Sequence, residues 1–130
     1  VSNEEIIRII LESWAENTRL DKRDVILANH AGDALIFDVL PPMHHEGTAA
    51  YRANWDLWQP ETVGESTFSL RDLRIAAGED VAFATAFIDC AGALPDGRTF
   101  SDMVRATFCL ERRDGHWQIT HQHISKPFNP

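Results

Sequence analysis

Four apolar runs of strand length fill the second half of this chain, and a turn signal cuts each from the next. The runs are Thr67 to Ile75, Val81 to Cys90, Ser101 to Glu111 and His116 to Ser125. Between them stand Ala77-Gly78-Glu79-Asp80, Pro95-Asp96-Gly97 and Asp114-Gly115, residue types that reverse a chain tightly. Consecutive strands on short turns pair with each other, so this half predicts an antiparallel sheet. Val81-Ala82-Phe83-Ala84 is apolar on both strand faces. That predicts a sheet covered twice, by helices on one side and by a second copy of the chain on the other, as a homodimer through the sheet.

The first half supplies the helices. Ser2-Asn3-Glu4-Glu5 reads as a capping box, with Ser2 as N-cap and Glu5 reaching back. Ile6, Ile9, Ile10 and Trp14 then give one apolar stripe at helical spacing through about Asn17. Asp21 is placed to cap a second short helix from Lys22 to about Ala31, with Gly32 to end it. Ala34 to Leu40 reads as a strand closed by Pro41-Pro42, and His44 to Gly47 as a loop. Thr48 starts a third helix that runs to about Trp58 and stops at Pro60. Helices first and strands after predict an α+β fold, one domain over residues 1–130, with three helices against a single sheet.

The net charge of −8 argues against nucleic acid and against an anionic membrane surface as partners. The nearest basic patch, Arg112-Arg113, stands beside Glu111 and Asp114 and reads as a solvated hairpin tip. Cys90 and Cys109 lack CxxC spacing and sit in apolar runs, the pattern of reduced thiols. No window approaches the ~20 apolar residues of a membrane span. No signal-peptide pattern opens the chain, which points to the cytoplasm, although a start at Val1 without Met leaves a trimmed leader open.

The last strand carries the chemistry. With period two, Trp117, Ile119, His121, His123 and Ser125 share one face, and Gln118, Thr120, Gln122 and Ile124 the other. Two imidazoles and a hydroxyl at the end of an apolar face suggest a pocket lining, with core histidines as the alternative. A metal site would need further ligands such as His44, His45, Glu46 or Asp38, and no carboxylate follows the pair closely; no metal is expected. Asp38, between Phe37 and Val39, either faces a cavity as a proton acceptor or caps the turn before Pro41. Arg105 shares a strand face with Met103, Thr107 and Cys109, so its charge calls for an anion, either a ligand or a neighbouring carboxylate. Tyr51, Trp55 and Trp58 lie on one helix face, to stack on a flat ligand or to fill the core. His30 is a further candidate for a cavity rim. Neither a Gly-rich phosphate loop nor a nucleophile elbow is present in the sequence.

Several stretches together resemble the nuclear transport factor 2-like superfamily, in the branch of ketosteroid isomerase and the SnoaL-like polyketide cyclases. They are Gly32-Asp33-Ala34-Leu35-Ile36-Phe37-Asp38, Gly47-Thr48-Ala49-Ala50-Tyr51-Arg52, Val104-Arg105-Ala106-Thr107 and Asp114 through Ser125. The resemblance implies a cystatin-like α+β barrel, a curved sheet wrapped into a cone with an internal cavity. It places Asp38 where the isomerases keep their carboxylate base. Trp14 takes the place of their oxyanion-donating Tyr, and Thr107 that of their protonated Asp donor, which points away from a steroid isomerase proper. The expected function is a cofactor-independent isomerase, cyclase or dehydratase acting on a small hydrophobic or carboxylate-bearing carbonyl compound. Asp38 would take the proton, Arg105 and His121 would stabilise the oxyanion, and His123 would position or relay. Trp14, His30, Tyr51, Trp55, Trp58, Thr107 and Ser125 would touch the ligand. The alternative is a non-catalytic domain that uses the same fold to hold a ligand or a partner.

Overall fold

The computed structural model describes residues 1–58 and 61–130. Among the described residues, two helices and six strands follow in the order α1 (Asn3–Arg19), β1 (His30–Phe37), β2 (His45–Glu46), α2 (Thr48–Trp58), β3 (Val63–Ala77), β4 (Val81–Ala93), β5 (Thr99–Arg113) and β6 (His116–Ser125). The strands form one open sheet in the order β2-β1-β6-β5-β4-β3. Neighbours are antiparallel except β1 and β6, which run parallel. The fold is therefore α+β, with the C-terminal strands paired as the turn signals predict. Interruptions of register in β3, β6 and β1 bend the sheet, because an extra residue in one strand kinks it and increases its twist. In β3 one of two irregularities falls at Asp72, which adopts φ +54°, a conformation that Asp tolerates better than most residues.

Helix α1 starts as its sequence suggests, with the Ser2 hydroxyl accepting from the Glu5 N–H at 3.1 Å. Its buried stripe is Ile7, Leu11, Trp14, Ala15 and Thr18, rotated from the expected Ile6-Ile9-Ile10-Trp14. Ile9 is 61% exposed. The helix lies over β3 and packs on the inner sheet face, where the small side chains Ala82, Ala84 and Ala106 share its core. Phe108 and Ile88 fill the centre of this core, and Trp14 meets Phe108 and Phe68 edge-on at 5.2 and 5.4 Å.

The second expected helix is absent. Residues 21–29 instead form successive turns, held by bonds such as Ala28 N–H to Val25 O and His30 N–H to Leu27 O, both 3.1 Å. The reason is the strand that follows. β1 begins at His30, and the Ile119 N–H bonds Asn29 O at 2.8 Å, so the chain must already be extended where the helix would continue. Gly32 lies inside β1 and ends no helix. The expected loop at His44 to Gly47 holds the two-residue strand β2, paired to β1. Gly47 has φ +91° and donates to Ala34 O at 2.8 Å, and a Cβ there would meet Gly32 O at 3.0 Å. Only glycine fits so close a turn comfortably. Helix α2 matches its expected span, while the expected stop at Pro60 lies outside the described residues.

Candidate functional site

One extra residue in β6 decides which side chains reach the interior. Cys109 pairs with His121 and Leu110 with Ile119, so Thr120 is left without a partner on β5. Its hydroxyl turns back to Cys109 O at 3.3 Å. Side chains alternate along a strand, and a one-residue bulge reverses every face beyond it. Trp117 and Ile119 point inward before the bulge, and Gln122 and Ile124 point inward after it. His121, His123 and Ser125 are thereby carried to the outer face. This corrects the single face expected for Trp117, Ile119, His121, His123 and Ser125.

Arg105, Thr107 and Cys109 join them outside, because the alternating residues Ala106, Phe108 and Leu110 are buried. Arg105 pairs across the sheet with Ser125 and donates to its hydroxyl at 2.8 Å. Among the described residues it has no carboxylate partner. His121 Nδ1 meets Leu35 O at 2.7 Å, and Phe37 packs edge-on against both His121 and His123, at 4.9 and 5.3 Å. Among the described residues, no three His, Cys, Asp or Glu side chains are grouped to hold a metal.

Inside, a cleft of about 190 Å³ opens between α1, α2 and the sheet. Its floor is Trp14, Phe68, Val104 and Ile124, and its mouth carries Val39 and Leu40. Asp38, just past the end of β1, is the one charged residue among those lining it. Tyr51 donates its hydroxyl to Asp38 Oδ2 at 2.7 Å, and the Val39 N–H donates to Oδ1 at 2.7 Å. Each carboxylate oxygen keeps a lone pair beyond the one so engaged. Asn54 ties the mouth to α2 through Pro41 O at 3.3 Å. Trp55 lines the same wall, and its indole N–H has no partner among the described residues. Cys90 also faces the cleft; burial pushes its thiol up to about 11, so it stays protonated and a poor nucleophile at neutral pH.

A polar line lies behind the cleft. Tyr51 is 3% exposed, and burial, followed by the neighbouring Asp38 charge, raises its phenol well above the ordinary range. It therefore remains a donor. Gln122, fully buried, meets His30 Nε2 through its Oε1 at 2.7 Å. His30 is itself buried, which pulls its pKa down and keeps the ring neutral near pH 7. His45 is buried on β2 with its ring edge-on to Tyr51 at 5.2 Å, and among the described residues neither of its nitrogens has a partner.

The structure thus brings Asp38, Trp14, Tyr51 and Trp55 together at the cleft. It buries His30 behind the cleft instead of at a rim, and it separates Arg105, Thr107, His121, His123 and Ser125 from Asp38 by the thickness of the sheet. Thr107 therefore does not occupy an inward donor position. The Trp58 side chain lies outside the described residues. Sequence reasoning missed Gln122 and Asn54 as inward groups. For Gln122 a signal existed, since Ile119 and Ile124 are both buried at an odd spacing that an unbroken strand cannot accommodate.

A family model described as a SnoaL-like domain matches residues 7–129. A nuclear transport factor 2-like protein of unknown function from Pseudomonas putida is 31% identical, superposes with a TM-score of 0.85, and is aligned over 97% of this chain and 87% of its own. A candidate dehydratase of the same family from Streptomyces avermitilis is 16% identical, with a TM-score of 0.81 and 96% of each chain aligned. The association domain of C. elegans CaMKII is 13% identical, with a TM-score of 0.73 over 95% of this chain and 94% of its own. The last two likenesses show the fold alone. Among curated proteins none matches.

Proposed function

The chain belongs to the SnoaL-like domain family of the nuclear transport factor 2-like superfamily, and from that premise we propose that it is a cofactor-independent proton-transfer enzyme of the isomerase, cyclase or dehydratase type. The observation that carries this reading is Asp38, the one charged residue lining an otherwise largely apolar cleft, oriented by two hydrogen bonds. A carboxylate so held accepts a proton from a carbon next to a carbonyl. Asn54 and the Trp55 N–H, which has no partner among the described residues, are donors on the cleft wall for the carbonyl oxygen. The substrate is a small, neutral, hydrophobic carbonyl compound, because Asp38 repels an anion and Arg105 lies on the far side of the sheet. The free thiols of Cys90 and Cys109 support a reducing, cytoplasmic setting.

The test is deuterium uptake at the α-carbon of 2-tetralone in D₂O, followed by NMR. The protein should accelerate uptake, and Asp38→Asn should remove about a hundredfold or more of that acceleration while 2-tetralone still binds. Equal uptake with the variant and the unaltered protein would overturn the assignment of the base.

We also propose a homodimer through the outer sheet face, supported by Val81, Phe83, Phe87 and Met103, which stand 64%, 56%, 44% and 45% exposed there. Light scattering should give twice the chain mass for the protein and the single mass for Phe87→Glu. A monomeric unaltered protein would refute the interface. An association role without catalysis is the second reading that this face favours, and it predicts that Asp38→Asn changes nothing.

A further inference from the structure

The outer sheet face carries an apolar ridge with an unpaired charge of each sign on its flanks. The outward residues along β4 are Val81, Phe83, Thr85 and Phe87, because Ala82, Ala84, Ala86 and Ile88 are buried between them. At the level of Phe87 the flanking strands present Arg71 on β3 and Arg105 on β5. Arg71 is satisfied within the chain, by Asp89 at 2.8 Å. Arg105 is not: it leans away from the ridge to the Ser125 hydroxyl on β6 and has no carboxylate partner among the described residues. Asp72 follows Arg71 on the β3 bulge, is exposed, and has no cationic partner among the described residues. Both charges line one outer groove of about 480 Å³.

We propose that two copies of this chain pair ridge on ridge, locked by two reciprocal ion pairs between Arg105 of one copy and Asp72 of the other. The inference rests on the homodimer reading for the existence of the contact, and it adds the register. A two-fold interface sets one patch against itself, so the β4 ridge is covered by the ridge of the second copy. Two arrangements do this. With the two-fold axis along β4, each β3 lies over the partner's β5, and anion meets cation twice. With the axis across β4, β3 falls on β3 and β5 on β5, and neither charge gains its opposite. Complementary charge selects the first arrangement. The shape of the edge agrees with it. β3 is the last strand of the sheet, and its bulge carries Asp72. Laid over β5, that edge ends above the gap between β5 and β6, where Arg105 turns towards Ser125. Phe83 and Phe87 then form the apolar centre of the contact and the ion pairs its rim.

Self-association of the full chain, read by light scattering over a dilution series, tests the register. Arg105→Asp and Asp72→Arg each turn both attractions of the homodimer into like-charge contacts. Each should weaken self-association by about tenfold or more. An equimolar mixture of the two variants should associate again, because in the mixed dimer both contacts join opposite charges. No change confined to one chain can produce that recovery. Both residues are exposed, so circular dichroism of each variant should match the unaltered protein. Should a charge reversal fail to fold, Arg105→Gln and Asp72→Asn carry the test as a double-mutant cycle: the double variant should associate no more weakly than either single one, and additive losses would overturn the pairing. A dimer that neither reversal weakens, or losses that the mixture does not recover, would overturn this register and leave the homodimer reading standing. An unaltered protein that stays monomeric throughout would overturn both.

Discussion

The two faces of the sheet carry similar chemistry to opposite ends. On the outer face, Arg105, His121, His123, Ser125 and Thr107 offer every group that an acid–base site could ask for, yet they lie across the sheet from the cleft. On the inner face Gln122 is a fully buried polar residue among Ile36, Ile119, Ile124 and Phe108, and it is bonded at one end, to His30. The comparison teaches that residue type is a poor guide to a site when register is unknown. A charged group outside is solvated at little cost, whereas a polar group inside must be held by partners or it destabilises the fold. The inner face is where a polar residue demands an explanation.

The sharpest way to break this comparison is to put a charge on the inner face. Ile119→Asp would place a carboxylate at a fully buried position, where a charge without a partner is far costlier than on the solvated outer face. That cost is comparable with the ~5–15 kcal/mol that stabilises a domain, so near-ultraviolet circular dichroism should show no packed aromatic core. Next in size is a pair of matched truncations. Phe108→Ala on the inner face should cost about 3–5 kcal/mol in urea unfolding, because Phe108 is fully buried against Trp14, whereas His123→Ala outside should fall within about 0.5 kcal/mol.

The smallest effect expected is on pH dependence. Burial depresses the His30 pKa in the folded state below the ordinary 6.5, so the unfolded chain binds the proton more readily. The stability that comes from keeping this ring neutral is complete above pH 6.5 and is lost as pH falls from there through the folded value. His30→Gln should therefore flatten the melting temperature between pH 7 and pH 5, as differential scanning fluorimetry would show.

Much of the fold was legible. The four C-terminal strands, the capping of α1 by Ser2 and the span of α2 all follow from local signals, where periodicity, caps and turn residues agree. The segment from Lys22 to Ala31 was not legible, because its conformation is set by pairing with β6 some ninety residues away, a tertiary constraint that local propensity cannot express. The site divides the same way. Asp38, Trp14, Tyr51 and Trp55 were legible because the resemblance and helix spacing place them without reference to a bulge. Arg105 and Thr107 were assigned to the wrong face although Val104, Ala106, Phe108 and Leu110 alternate with them as an apolar face, and the two C-terminal histidines because in β6 the phase changes midway. The odd spacing of Ile119 and Ile124 carried that information, and the attraction of the two imidazoles outweighed it.

Strand β6 sits between β1 and β5, and it is the one strand that joins β1 and β2 to the rest of the sheet. Assembly of the cleft therefore waits on synthesis. A nascent chain that has emitted β1 and α2 holds Asp38 and Tyr51 but lacks Gln122, and its first strand has no long neighbour to pair with. High sequence separation between β1 and β6 makes their docking a slow, late event in folding. Until then the inner edges of β1 and β5 are open to other chains, so the Ile124 floor of the cleft and protection from aggregation arrive together with β6.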